Sequence, residues 1–164
     1  MVGMLEMLRL TKKADYGLMA LKFLAEHPEV PSQSAKDISE AYGIPPQLLA
    51  KILQRLTKVG LLRSHAGING GYSLSRDPAT ITAFEVIYAI DGPLFITSCG
   101  PSTGSSRSCD LLDSCTIKEP LSKVNDTISN VLRGIRIADL VDAIPYDRRA
   151  HMNGGHGRPL VTLG

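Results

Sequence analysis

Between Ser34 and Leu74 the chain strings together a short helix, a tight turn, a two-faced helix and a glycine-rich hairpin, and few folds accept that order. Ser34-Ala35-Lys36-Asp37 reads as a variant capping box, in which a hydroxyl and a carboxylate three residues apart each satisfy an amide that the helix leaves open. It predicts a helix with Ala35, Ile38 and Ala41 facing inward and Gly43 closing it. Ile44-Pro45-Pro46 turns the chain, and Pro46 suits a first helical position, where the N–H it lacks has no partner anyway. From Gln47 to Val59 the sequence divides by face. Leu49, Ile52, Leu53 and Leu56 form the core side. Gln47, Lys51, Gln54, Arg55 and Lys58 form the other, with two amides, three cations and no acid. A short helix, a turn and a helix with a cationic outer face is the helix-turn-helix pattern, although a solvated face would look the same in isolation.

The residues after Gly60 narrow the choice. Leu61-Leu62-Arg63-Ser64-His65 predicts a strand, Ala66-Gly67-Ile68-Asn69-Gly70-Gly71 a turn, and Tyr72-Ser73-Leu74 a returning strand. The glycines either let the tip approach a phosphate backbone or serve the turn alone. A helix-turn-helix continuing directly into such a hairpin is a winged helix, a far more specific signal than either part. Charge agrees: residues 1–76 carry ten Lys/Arg against six Asp/Glu, while residues 77–164 carry eight against ten. The basic excess lies where a nucleic-acid surface is expected.

The winged helix is flanked by further helical signals. Thr11 caps a predicted helix running to about Glu26, with Ala14, Leu18, Leu21 and Ala25 as its buried stripe, Asp15 in the first turn, and His27-Pro28 as the stop. Thr82-Ala83-Phe84-Glu85 is a capping box opening a helix that ends near Asp91-Gly92, with Ala83, Val86, Ile87 and Ile90 packed. Past residue 115, Ile117, Leu121, Val124, Ile128 and Val131 or Leu132 mark one side of a helix of about four turns, which pairing with a second copy would cover. Gly134 ends it, and Ile137-Ala138-Asp139-Leu140-Val141 suggests a last helical turn. The stretch from Pro145, including His151 and His156, reads as a mobile tail.

All three cysteines fall in one Gly-, Ser- and Pro-rich segment with the spacing Cys99-x9-Cys109-x5-Cys115. An odd count in an otherwise cytoplasmic-looking chain argues against a disulfide framework and for metal or redox chemistry. The spacing does not match paired Cys-x2-Cys zinc hooks, whereas iron–sulfur clusters tolerate wider spacings. Free thiols in a loop are the plainer alternative. No nucleophile–base pair, paired carboxylates or cofactor loop points to an enzyme. No apolar run reaches the length of a membrane span, and Met1-Val2-Gly3-Met4-Leu5-Glu6 lacks a signal-peptide centre, so a cytoplasmic protein is expected.

Leu8-Arg9-Leu10-Thr11, Asp15-Tyr16-Gly17, Val59-Gly60-Leu61-Leu62, Gly70-Gly71-Tyr72, the three cysteines and Ile137-Ala138-Asp139-Leu140-Val141 together resemble the Rrf2 family of bacterial winged-helix regulators. That family includes the iron–sulfur regulators of the IscR and NsrR type, and the resemblance is greatest to repressors of SUF-type cluster-assembly operons. The fold it implies is mainly α with a small β-hairpin: an N-terminal extension (1–7), a winged helix-turn-helix domain (8–92), a cysteine-rich cluster-binding loop (93–118), a dimerisation helix and return segment (119–144), and a flexible tail (145–164).

The function it implies is a homodimeric DNA-binding regulator, carrying one iron–sulfur cluster per subunit (2Fe–2S or 4Fe–4S) whose state controls affinity for double-stranded operator DNA. The alternative is a regulator without a cluster, using the thiols for zinc or as a redox switch. The resemblance assigns Cys99, Cys109 and Cys115 as cluster ligands. In one branch the fourth is a His three residues after the last cysteine, but that position is Lys118 here. In the NsrR branch an Asp from the partner's first helix completes the site, and Asp15 stands at that position, favoured over His65 and Glu119. Where this wing has Ala66 the family commonly has an Arg able to enter the minor groove, which shifts base reading towards Gln47 and Lys51. Gln54 and His65 join them on the DNA-facing surface, and Arg55, Lys58 and Arg63 hold phosphates.

Overall fold

The first helix begins where Thr11 leaves extended backbone and its hydroxyl oxygen accepts from the Ala14 amide at 3.2 Å. A computed structural model describes residues 10–95 and 115–143 of the chain. In it α1 spans Lys12–Glu26, α2 Ala35–Tyr42, α3 Pro46–Lys58, β1 Leu62–His65, β2 Gly71–Leu74, α4 Ala83–Asp91, α5 Lys118–Gly134 and α6 Ile137–Asp142, with a 3-10 turn at Pro78–Thr80 before α4.

The buried stripe of α1 is Ala14, Gly17, Ala20, Leu21 and Leu24. Leu18 and Ala25, expected in that stripe, are only half-buried and pack at its margin. The shift has a steric cause. Small residues on α1 let α4 come close: a Cβ on Gly17 would stand 2.2 Å from Ile90 Cδ1 and 3.4 Å from Val86 Cγ1.

In α2 both arms of the capping box form, Asp37 N–H to Ser34 Oγ at 3.1 Å and Ser34 N–H to Asp37 Oδ2 at 3.2 Å. Gly43 closes it at φ 65°. Ile38 faces inward as expected, but Ala41 is exposed and Ser39 is buried instead. Ser39 tolerates burial because its hydroxyl donates to the Ile44 carbonyl at 2.7 Å and ties the turn to the helix. The core side of α3 is as expected, with Leu49, Ile52, Leu53 and Leu56 all buried.

β1 and β2 pair antiparallel, with Leu62 opposite Leu74, Arg63 opposite Ser73, Ser64 opposite Tyr72 and His65 opposite Gly71. Gln33, between α1 and α2, adds a third edge: its N–H donates to Tyr72 O at 2.9 Å, and Tyr72 N–H donates back to Gln33 O at 2.8 Å. There is no room for a side chain beneath that bridge, since a Cβ on Gly71 would lie 2.3 Å from Gln33 O. Gly70 is equally constrained by His65 O at 2.4 Å. Close backbone approach within the fold therefore explains both glycines, without invoking a phosphate.

The return segment is stitched into the winged-helix core. Ala83 N–H donates to Ile135 O and Ile137 N–H to Ile81 O, each at 2.9 Å, and Ile137 is fully buried among Leu21, Ile81 and Val86. Ahead of these anchors α5 lies along α4, where the Arg133 guanidinium sits 4.0 Å from the centroid of the Phe84 ring.

Candidate functional site

Gln47, Lys51, Gln54 and Lys58 recur at i, i+4, i+7 and i+11 along α3 and so fall in one stripe opposite the buried leucines. All four are exposed. Among the described residues none of their side chains pairs with an acid, since the ion pairs are Lys22–Glu26, Lys36–Glu40, Arg76–Glu85 and Lys123–Glu119. A row of two amides and two unneutralised cations on an exposed helix face can hydrogen-bond base edges and meet phosphates together.

Arg55 stands at the flank of this stripe. Its Nε donates to the Ala89 carbonyl at 2.8 Å, one of the last-turn carbonyls that α4 cannot satisfy internally. The other guanidinium nitrogens remain for an anion, so Arg55 both braces α3 on α4 and offers charge. Sequence periodicity alone did not reveal the bracing role.

On the hairpin, β1 exposes Arg63, Ser64 and His65. Arg63 and His65 point to one face, two residues apart, and His65 Nε2 lies 2.7 Å from Ser73 Oγ across the strands. Because Leu61 N–H donates to Leu56 O and Gly60 N–H to Thr57 O, both at 3.0 Å, the hairpin springs directly from the end of α3. The wing thus follows α3 without an intervening element, and its exposed Arg63 adds a cation to those of the helix. At the base of the wing, Arg76 pairs with Glu85. Partial burial would raise the Glu85 carboxyl, but hydrogen bonds from the Thr82 amide, Arg76 and the Thr82 hydroxyl, together with the Arg76 charge, hold it below its ordinary range.

Of the expected metal ligands, Cys99 and Cys109 lie outside the described residues. Cys115 is half-buried just before α5 and is the one cysteine among the described residues. Asp15 is exposed in the first turn of α1. The Thr11 hydroxyl donates to both carboxylate oxygens of Asp91, at 2.9 and 2.7 Å, so the helix start that bears Asp15 is fixed beside the point where the chain leaves for the cysteine segment. His65 sits on the wing, and Glu119 is exposed on α5, 3.4 Å from Lys123. The structure does not bring Asp15, His65, Glu119 and Cys115 together: among the described residues no group of three His, Cys, Asp or Glu is placed to hold a metal ion.

α5 has two faces. Ser129, Asn125 and Leu132 turn towards the domain, whereas Ile117, Val124 and Val131 are 60%, 46% and 59% exposed and repeat every seven residues. Among the described residues no helix is long and apolar enough to cross a membrane.

A helix-turn-helix whose outer face is cationic, with a wing attached, defines a winged-helix DNA-binding protein. Residues 10–143 match the Rrf2 family, described as iron-dependent transcriptional regulators, and the chain belongs to that family. It is accordingly a DNA-binding transcriptional regulator and not an enzyme. It is 36% identical over 138 residues to protein aau3 of Rhizobium meliloti (strain 1021), covering 84% of this chain and 88% of that one. Among solved structures it is similar to CymR (YrzC), the global cysteine regulator of B. subtilis, with TM-score 0.66 and 26% identity over 83% of this chain and 98% of that one. It is equally similar in fold to T. potens IscR, with TM-score 0.66 and 28% identity over 92% of this chain and 94% of that one.

Proposed function

We propose that this regulator is a cytoplasmic homodimeric repressor of iron–sulfur cluster assembly or related stress genes, and that an iron–sulfur cluster on each subunit sets its affinity for operator DNA. The observation that carries the reading is the confinement of all three cysteines to the one segment between α4 and α5, in a chain similar to IscR. Cys99, Cys109 and Cys115 supply three thiolates, and the partner subunit's Asp15 supplies an oxygen, a donor set suited to iron. When bound, the cluster is a centre that oxidants, nitric oxide or iron starvation dismantle.

The chain's own residues do the rest. Gln47, Lys51 and Gln54 read base edges in the major groove, while Arg55, Lys58, Arg63 and His65 hold the backbone. Ile117, Val124 and Val131, at heptad spacing with Leu121 and Ile128 between them, form the seam against a second copy and set two heads on half-sites about one helical turn or more apart.

Anaerobic purification and then a spectrum with iron and sulfide counts test the cluster. A colourless protein without iron or sulfide removes it. Lys51→Ala with Arg55→Ala should abolish operator binding and leave the colour intact. A second reading, a regulator without a cluster that uses the cysteines for zinc or as a thiol switch, is supported by the likeness to CymR, a global cysteine regulator. Zinc without sulfide, or a disulfide formed as two thiols pass two electrons and two protons to a peroxide, would support it.

A further inference from the structure

We propose that Ile68 is a specificity-determining residue, packing an apolar side chain into the minor groove beside each half-site and favouring A·T over G·C there. The proposal rests on the DNA-binding reading and adds to it a contact that the cationic surface does not provide. Ile68 is 103% exposed, while the other exposed large hydrophobics of the described residues lie between 38% and 60%. A lone exposed apolar side chain usually signifies nothing. Here, however, the backbone is built to hold it out. Gly67 takes φ 106° and its carbonyl accepts from Gly70 N–H at 3.0 Å, which closes the turn. The Ser32 hydroxyl donates to Asn69 O at 3.0 Å, and the Gln33–Tyr72 bridge holds the strand just behind. The tip is therefore pinned from beneath and carries its side chain outward.

Reach and chemistry agree on the occupant. The hairpin leaves the end of α3, and four strand residues at ~3.3 Å each extend about 13 Å, close to the ~12 Å width of a major groove. With α3 in the major groove, the tip crosses one phosphate strand into the adjoining minor groove. The wing's cation, Arg63, and the imidazole of His65 sit on β1, behind the tip, whereas Ala66 to Gly71 carries no charge. In the minor groove a G·C pair differs from A·T by the guanine 2-amino group. That group occupies the groove floor, and under an isoleucine it loses water with nothing to accept its hydrogen. An apolar tip thus selects against it.

Duplexes enriched by the full-length protein from a randomised pool supply the probe, and the base pairs flanking each half-site are then set to A·T, G·C or inosine·cytosine. Inosine keeps the major-groove face of guanine and lacks the amino group. The wild type should bind A·T and inosine·cytosine flanks equally and G·C flanks about three- to tenfold more weakly, as expected for an amino donor that is partly buried without an acceptor. Ile68→Ala should lose that discrimination without changing the slope of log K against log salt. Ile68→Arg should steepen the slope, because an added cation at the tip releases counterions. Discrimination that survives Ile68→Ala, or an Ile68→Arg slope equal to that of the wild type, overturns the proposal. If no sequence is enriched, the DNA-binding reading itself fails. If the enriched duplex responds to Lys51→Ala but not to either Ile68 variant, the assignment of Ile68 alone fails.

Discussion

Gly71→Ala should unfasten the wing from the body of the domain. The added Cβ would lie 2.3 Å from Gln33 O, 2.6 Å from Gln33 C and 2.9 Å from Ser34 N, all backbone atoms that cannot swing aside. Restoring ordinary contact requires a separation of roughly 1 Å, which takes the 2.9 and 2.8 Å hydrogen bonds between Gln33 and Tyr72 out of range. Each such bond contributes about 0.5–1.5 kcal/mol net, and the alternative of keeping them strained costs about 1–3 kcal/mol. Either route gives a loss of about 2 kcal/mol. For a chain of this size that lowers Tm by about 4–8 °C. Urea denaturation measures the loss, and amide exchange locates it: Tyr72 and Gln33 should lose protection while the α3 core amides keep theirs relative to global stability. Gly60→Ala is the control, at φ 82° with nothing within 4 Å of the added atom. It should cost about 1–2 kcal/mol of left-handed strain and leave both bridge amides protected. A Gly71→Ala protein as stable as the wild type, with Tyr72 and Gln33 still protected, would refute the reasoning.

Three further outcomes are expected. Val124→Asp with Val131→Asp places two carboxylates on the exposed stripe of α5; in the proposed dimer this should shift sedimentation to the monomer and weaken operator binding. Because the Glu85 carboxyl is held below its ordinary value, its contribution to stability is present above the unfolded pKa, near 4.5, and is lost as pH falls through the lower folded value. The urea midpoint of Glu85→Gln should therefore fall less steeply than that of the wild type below about pH 5. Asp15→Ala should leave folding intact, since Asp15 is exposed, but shorten the lifetime of the anaerobic absorbance in air; an unchanged lifetime would remove Asp15 as a ligand.

Local chemistry made much of this architecture legible. The hydroxyl–carboxylate pairs Ser34/Asp37 and Thr82/Glu85, the Thr11 cap and the Gly43 stop depend only on neighbours in sequence, and each lies where its chemistry places it. The two faces of α3 were equally readable, because its buried leucines and isoleucine recur at helical spacing opposite the exposed amides and lysines. The positions that local pattern left open, or in the case of Ala41 misplaced, were decided by partners beyond the immediate neighbours. Gly17 is buried because Ile90 presses on it from α4, and Gly71 is a glycine because Gln33 passes beneath it. Ser39 replaces Ala41 in the interior because a carbonyl five residues on accepts its proton. Arg55 looked like one more cation until Ala89 supplied its acceptor.

The segment after α5 is sewn into the head: Ala83 N–H donates to Ile135 O and Ile137 N–H to Ile81 O, and just before them Arg133 rests on the Phe84 ring of α4. A helix fastened in this way at its C-terminal end cannot tilt there without dragging α4 along. In the proposed dimer, a small twist where two copies meet would therefore be handed on to the heads and alter the distance between them.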